Sequence, residues 1–226
     1  YLKDCERIIK LYHDPKPYSM SQIVMAPCQP INSYPETFTE TVTFAREKGV
    51  RMHTHLGEGE NEIMVERYGK RTLDWCGEIG FLGPDVWIAH GWELTPKEYE
   101  VLAKAGTGVS HCPGPAILGG FPILPIGQMQ EMGVCVSLGC DGSATNDSSS
   151  LPDSMRTAWM MQAWHSKQRG GCISPYEMLK IATVNGAKTL GRNDLGSLEP
   201  EKGADLFMVD AGVLELTGTL HDPRNL

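Results

Sequence analysis

Residues 50–58, VRMHTHLGE, place two histidines and a glutamate at the end of a short run that alternates like a β-strand. His53 and His55 are two residues apart, so on a strand they share a face. Glu58 follows three residues after His55, where the strand ends. The same construction recurs downstream. Residues 85–94, DVWIAHGWEL, end an apolar run on His90; residues 106–113, GTGVSHCP, end one on His111; residues 133–147, GVCVSLGCDGSATND, end one on Asp141. A helical segment separates each from the next. In a parallel α/β sheet the carboxyl ends of all strands share one edge, so these residues would meet on one face. Imidazoles and carboxylates gathered there are what a zinc hydrolase needs: nitrogen and oxygen ligands and a carboxylate to move protons.

Working outward, further strands are predicted at 21–27, 50–56, 85–90, 107–112 and 134–141. Between them the helix signals are clear. PETFTETVTFAREKG, residues 35–49, has proline in its first turn and glycine at its stop. NEIMVERYG and TLDWCGEIG also end in glycine. TPKEYEVLAKAG opens on Thr95 as N-cap, and PIGQMQEMG reads as helix. Alternation of this kind implies βαβ units and a parallel sheet. After Asp141 the pattern changes. Residues 150–170 read as one long helix, and residues 174–191 as another, opened by a capping box of Ser174 and Glu177. GADLFMVD, residues 203–210, reads as a strand of a separate small β element. Five strands do not close a parallel barrel, which needs eight.

The 226 residues carry a formal net charge of −8, which disfavours nucleic acid, since phosphate binding needs a basic face. No segment has the roughly 18 consecutive apolar residues of a membrane span. The charged start YLKDCERIIKLYHD reads as the end of a helix rather than a signal peptide. Seven cysteines, at 5, 28, 76, 112, 135, 140 and 172, form no CxxC pair and read as reduced thiols of a cytoplasmic protein.

Of the chemical candidates, His55 is nearer its strand end than His53 and is the better ligand; His53 can equally be a packed histidine. His90 after three apolar residues needs partners to be buried. His111 is either a site residue or a rim histidine bonded to a neighbouring loop, expected less close to the centre than His90. Asp141 at the end of a buried strand must be paired or bind a metal. HExxH, PCxxC, GxSxG, P-loop and GxGxxG motifs are absent.

Taken in order, HTHLGE, WIAHGWEL, GVSHCP, GCDGSATND, ATVNGAKTLG and LGSLEPEKGADLFMVD resemble the amidohydrolase superfamily, in the branch of cytosine, guanine and 8-oxoguanine deaminases and triazine hydrolases. The resemblance spans essentially the whole chain. It implies a partial (β/α)8 TIM-type barrel, about strands 4 to 8, over residues 1–200, with the start of an accessory β-domain over 201–226. It gives His55 and Asp141 the place of metal ligands and Glu58 that of the proton shuttle. His90 takes the place of the histidine facing the attacking water or the substrate, so Glu58, His90 and Asp141 are the catalytic candidates. Cys28, Gln29, His90 and Asn146 are candidates for substrate contact; Cys28 and Gln29 stand where relatives often carry histidine or serine.

The first-strand HxH pair of the family is not in this chain, and the sequence is expected to be truncated at both ends. The implied activity is metal-dependent deamination of an N-heterocycle such as 8-oxoguanine, guanine, cytosine or a pterin. The alternatives are a triazine-type hydrolase expelling chloride or an alkylamine, and an inactive fragment. The implied cofactor is one divalent metal, zinc or else iron, its full coordination needing the HxH. The expected partner is a small molecule, with neither nucleic acid nor membrane, and the full-length protein is expected to be a homo-oligomer.

Overall fold

Along strand β2 (Arg51–Leu56) burial alternates residue by residue. Met52, Thr54 and Leu56 are completely buried, while His53 and His55 between them are only partly so. One face of the strand is sealed against helices and the other carries the histidines, as a period of two requires. This computed structural model describes residues 1–167, 173–218 and 221–222. Among them, β1 (Val24–Met25), β2, β3 (Val86–His90), β4 (Gly108–His111) and β5 (Val136–Leu138) form one sheet in sequential order. Every neighbouring pair is parallel. Each strand steps to the next position in the same direction, the wrapping of a barrel wall rather than of a doubly wound sheet. The strands fall where the sequence places them but are shorter.

Helix α1 (Leu2–Tyr12) precedes the sheet, and α2 (Pro35–Lys48) links β1 to β2. It begins with proline and stops at Gly49, whose φ of 66° lets its N–H turn back to Ala45 and Arg46 carbonyls. Phe38 of α2 is completely buried and lies edge-on to Trp75 and Phe81, with ring centroids at 5.4 and 5.1 Å. Helices α3 (Asn61–Tyr68) and α4 (Thr72–Glu78) lead to β3, and α5 (Pro96–Ala105) to β4. At the start of α5 Thr95 and Glu98 form a reciprocal capping box, and the buried Glu98 also accepts two bonds from Arg71, at 2.8 and 3.0 Å. Helices α6 (Pro113–Leu118) and α7 (Ile126–Glu131) link β4 to β5. A single turn, α8 (Ser143–Asn146), then leads into α9 (Leu151–Ser166). The proposed end of α9 at residues 168–170, and Cys172, lie outside the described residues; the other six cysteines are free thiols. No helix among the described residues is long and apolar enough to cross a membrane.

Three expectations fail here. Residues 174–191 form two helices, α10 (Pro175–Ala182) and α11 (Val184–Thr189), broken at Thr183 (φ −113°, ψ −78°). The Thr183 hydroxyl bonds back to the Leu179 carbonyl at 2.7 Å, a contact that bends helices. The bend docks α11 on the strand starts. Asn185 Nδ2 donates to Val136 O at 2.9 Å, and Arg51 Nη2 donates to Thr189 O at 2.8 Å. Helix α11 thus lies at the edge opposite Glu58, His90 and Asp141. Of the Ser174–Glu177 box only one half forms: Ser174 accepts from Glu177 N, while the Glu177 carboxylate pairs with Lys180. Residues 203–210 join no β-ladder among the described residues, and Phe207 and Met208 are exposed. A strand is stabilised by a partner's hydrogen bonds, and no described segment supplies them. Just upstream, Arg192 grips Asp194 through two bonds of 2.8 and 2.7 Å, and Asp194 accepts from Tyr18 N at 2.6 Å. The segment after α11 is thereby fastened to the loop before β1.

Candidate active site

The chain leaves β2 and β3 through a pinched crossing. His90 (φ 74°), Gly57 (φ 74°) and Gly91 (φ 70°) all take the left-handed conformation. Gly91 N donates to Leu56 O at 2.8 Å, and Glu93 N to Gly57 O at 3.1 Å. A left-handed His90 costs of order 1–3 kcal/mol and persists because these contacts impose it. It turns the imidazole out of strand alternation and toward Glu58. The loop bearing Glu58 is anchored by Glu60, only 1% exposed, whose carboxylate accepts from Gly57 N at 2.6 Å and Glu58 N at 2.7 Å.

Glu58 Oε2 lies 3.6 Å from His90 Nε2 and accepts a hydrogen bond from the Gln29 side-chain amide. Asn32 holds that amide, donating to Gln29 Oε1 at 2.9 Å. Burial raises the Glu58 pKa; His55 opposes the shift, and Asp141 and Glu60 add to it. His90 is 1% exposed and sits between the rings of His55 at 5.2 Å and Trp92 at 4.3 Å. Burial, then His55, pushes His90 down to about 4, so at neutral pH it meets Glu58 as a neutral imidazole and not as an ion pair. A carboxyl made easier to protonate beside a neutral imidazole is an arrangement suited to moving protons.

The predicted residues do come together at one mouth of the sheet: the His55 and His90 rings are 5.2 Å apart, Glu58 is 3.6 Å from His90, and His90 and Asp141 hold ligand atoms within 4.8 Å of each other. His55 Nδ1 is 3.1 Å from Cys28 O; a carbonyl only accepts, so the proton is on Nδ1 and Nε2 keeps its lone pair. Asp141 offers a carboxylate that spends one bond on Gly142 N at 2.6 Å. An imidazole lone pair and a free carboxylate oxygen fit the donor chemistry of zinc, so these residues can hold a divalent metal. His53 plays the packed role, stacked on Trp87 at 5.0 Å and pushed down to about 4 by burial and by His55.

Four expectations need correction or placement. Asp141 is exposed and lies three residues beyond the end of β5, so burial does not force it to find a partner. Its left-handed backbone (φ 65°) lifts it clear of the strand. His111 is not at the rim: it is completely buried, and neither ring nitrogen has a hydrogen-bond partner. Burial and the neighbouring His90 push it down to about 3. It is the last residue of β4, enclosed where its strand ends. Asn146, on α8, donates to Ser148 O at 3.1 Å and lies against Gly114 of α6, so its amide is engaged locally. Cys28 is exposed and presents its carbonyl to His55 and Thr54.

Three residues went unread in the sequence. Glu60 was hidden by its neighbour in the doublet GEGE. Trp92, two residues after His90, packs tilted against His90 and stacks on Phe121. Cys112 follows His111, and its thiol, His90 and Asp141 hold ligand atoms within 4.8 Å of one another.

The chain matches the Amidohydrolase family over residues 1–224. It is 48% identical, across its whole length, to hydroxydechloroatrazine ethylaminohydrolase of Pseudomonas sp. (strain ADP), covering 47% of that protein. It is 38% identical over 98% of its length to 8-oxoguanine deaminase of Pseudomonas aeruginosa, covering 49% of it. The fold superposes on zinc-complexed atrazine chlorohydrolase from Arthrobacter aurescens TC1 with a TM-score of 0.86 and 30% identity, covering 90% of this chain and 45% of that one. The chain spans about half the length of the curated relatives it matches. Five parallel strands in sequential order are thus part of a TIM-type barrel wall, and the chain belongs to the amidohydrolase family.

Proposed function

We propose that the protein is a metal-dependent aminohydrolase that cleaves a non-peptide C–N bond on an N-heterocycle such as 8-oxoguanine, guanine, cytosine or a pterin. The observation that carries this is Glu58, raised by burial, facing neutral His90 at 3.6 Å on the mouth of the sheet. His55 and Asp141 would hold the metal, zinc by its donor set, with iron the other candidate and the remaining ligands supplied from outside this chain. When bound, the metal supplies Lewis-acid charge that acidifies water. Asp141 accepts a proton from the attacking water. Glu58 carries a proton to the ring nitrogen, which makes the adjacent carbon electrophilic. His90 hydrogen-bonds the oxygen as charge develops on it. The C–O bond forms, the C–N bond breaks, and the amine leaves with a proton. Cys28, Gln29, His90 and Asn146 are the proposed substrate contacts, Gln29 also steadying the Glu58 carboxylate.

A second reading has specific support: the relative at 48% identity is named for ethylamine release. The leaving group is then an alkylamine on a triazine ring. Offering the full-length protein the four heterocycles named above and an N-ethylamino hydroxytriazine, while measuring ammonia and ethylamine separately, decides between them. Release of neither amine from any of the five overturns the proposal. The same reading keeps residues 1–200 as the barrel part and 201–226 as the start of the accessory β-domain, of which 219–220 and 223–226 lie outside the described residues. It also places the enzyme in the cytoplasm, as a homo-oligomer acting on small molecules, in keeping with its free thiols and its net charge of −8.

A further inference from the structure

Gln29 and Asn32 stand at the two ends of a short 3-10 turn, with Gln29 as its N-cap and Pro30–Asn32 as its body. The turn is pinned from both sides. Just before it, Cys28 O accepts from His55 N at 3.1 Å and from the Thr54 hydroxyl at 3.0 Å. Within it, Asn32 N donates to Gln29 O at 3.1 Å, and Arg67 of α3 donates to Ile31 O at 3.0 Å. The turn is thus tied to β2 and α3, the elements that flank Glu58 in sequence. From it the Gln29 side chain reaches Glu58 Oε2, the same oxygen that faces His90 Nε2 at 3.6 Å.

An amide has two unlike ends. An ionised carboxylate only accepts, so Gln29 must offer it an N–H, and the Gln29 oxygen faces away. There it meets Asn32 Nδ2, a donor, at 2.9 Å. The opposite register is also self-consistent between the two amides: an Asn32 oxygen would accept an N–H from Gln29. That register would turn the Gln29 oxygen toward the Glu58 oxygen, two acceptors with no proton between them. We propose that Asn32 is a positioning residue for the proton carrier: by donating to Gln29 it fixes which end of that amide meets Glu58, and so holds the carboxylate against His90. The consequence for turnover rests on the proposed hydrolase reading; the hold on Glu58 does not.

Asn32 is exposed, so its variants are expected to fold. N32L removes the donor and leaves the Gln29 amide free to turn. N32D supplies only acceptors, draws an N–H from Gln29 and imposes the wrong register. In the full-length protein with its resident metal, kcat should fall a few-fold in N32L and about ten- to a hundredfold in N32D, the range of a hydrogen bond to a charged group. Metal content should be kept and KM should move much less than kcat. In a Q29L background both substitutions should change kcat by less than about twofold, because the residue they act through is gone. Equal losses in N32L and N32D, or losses that persist in Q29L, overturn the proposal. The hold itself is read without turnover, by NMR-detected hydrogen exchange of the Gln29 side-chain amide, identified as the resonance pair missing from Q29L. Its exchange should be about tenfold slower than that of free glutamine, and N32L and E58L should each remove most of that protection. Protection absent from the unaltered protein, or surviving in either variant, overturns the hold on Glu58. Protection lost in both variants of a protein that turns over no heterocycle upholds the hold and sinks the hydrolase reading.

Discussion

Gly57 and Gly91 touch backbone to backbone: a Cβ built on Gly57 would stand 2.9 Å from the Gly91 Cα. That contact fixes the exits of β2 and β3, and with them the distance between Glu58 and His90. Only glycine permits it, because real Cβ atoms do not approach backbone so closely and because φ at Gly57 is +74°.

Substituting Gly57 separates these two effects when compared with Gly69, which has a similar φ of +71° and open space around it. G69A should cost only the left-handed conformation, about 1–2 kcal/mol. G57A should cost more, because the backbone of Gly91 must also move, and turnover should fall with it. Denaturant unfolding of the full-length protein reads the first, and steady-state kinetics the second. Equal stability losses and unchanged turnover would show that the crossing is not what positions Glu58.

Glu60 gives a different test of the same loop. Its carboxylate accepts two main-chain N–H groups, at 2.6 and 2.7 Å. Glutamine retains one acceptor oxygen and turns an NH2 group toward the other N–H. A buried donor left without a partner costs about 1–3 kcal/mol. E60Q is therefore expected to lose stability by that amount and to lower kcat more than it changes KM, since the displaced group is Glu58 and not a substrate contact. An unchanged kcat with normal folding would remove the positioning role.

These two residues also mark how far the sequence could be read. The strand alternation of Arg51–Leu56 and the proline and glycine that bound α2 are local, periodic signals, and the fold followed from them. His55, Glu58 and His90 converge because each stands at or just past the carboxyl end of a strand in a parallel sheet, which also is legible. What was not legible depends on angles rather than on order. The split of residues 174–191 at Thr183 follows a side-chain bond back to Leu179, and the left-handed turn at His90 arises from packing against a distant segment. So does the burial of His111, whose strand end looks like that of His90 in sequence but keeps the extended conformation and is enclosed there. GADLFMVD has the composition of a strand, yet composition does not supply a neighbour.

The Arg192–Asp194 clasp predicts a pH dependence remote from the site. Arg192, then the Tyr18 N–H, hold the Asp194 carboxyl well below the usual carboxylate range. The folded state therefore binds this proton less readily than the unfolded chain, whose aspartates titrate near 3.9. Its stabilisation is complete above that value and is lost as pH falls below it. The stability advantage of the protein over D194N should be constant from neutral pH down to about 5 and shrink below about 4. An advantage independent of pH across that range would mean the clasp acts by shape alone.

The roles of Glu58 and Asp141 separate by measuring metal and turnover on the same samples. Glu58 is a proton carrier in the proposed scheme, its carboxyl raised by burial and held by Gln29, with no ligand duty. E58Q in the full-length protein should keep its metal and lose about 10²- to 10⁴-fold in kcat, the range of a general acid–base group. Because glutamine neither takes up nor gives up a proton, substrate affinity should change much less than rate. D141A removes a ligand and should lower metal content, with activity falling in proportion to the metal lost or further. The exposed position of Asp141 makes its removal tolerable to the fold, so metal loss with retained secondary structure is the expected result. Equal metal loss in the two variants would refute the division of labour, and near-normal turnover in E58Q would refute the proton path through Glu58.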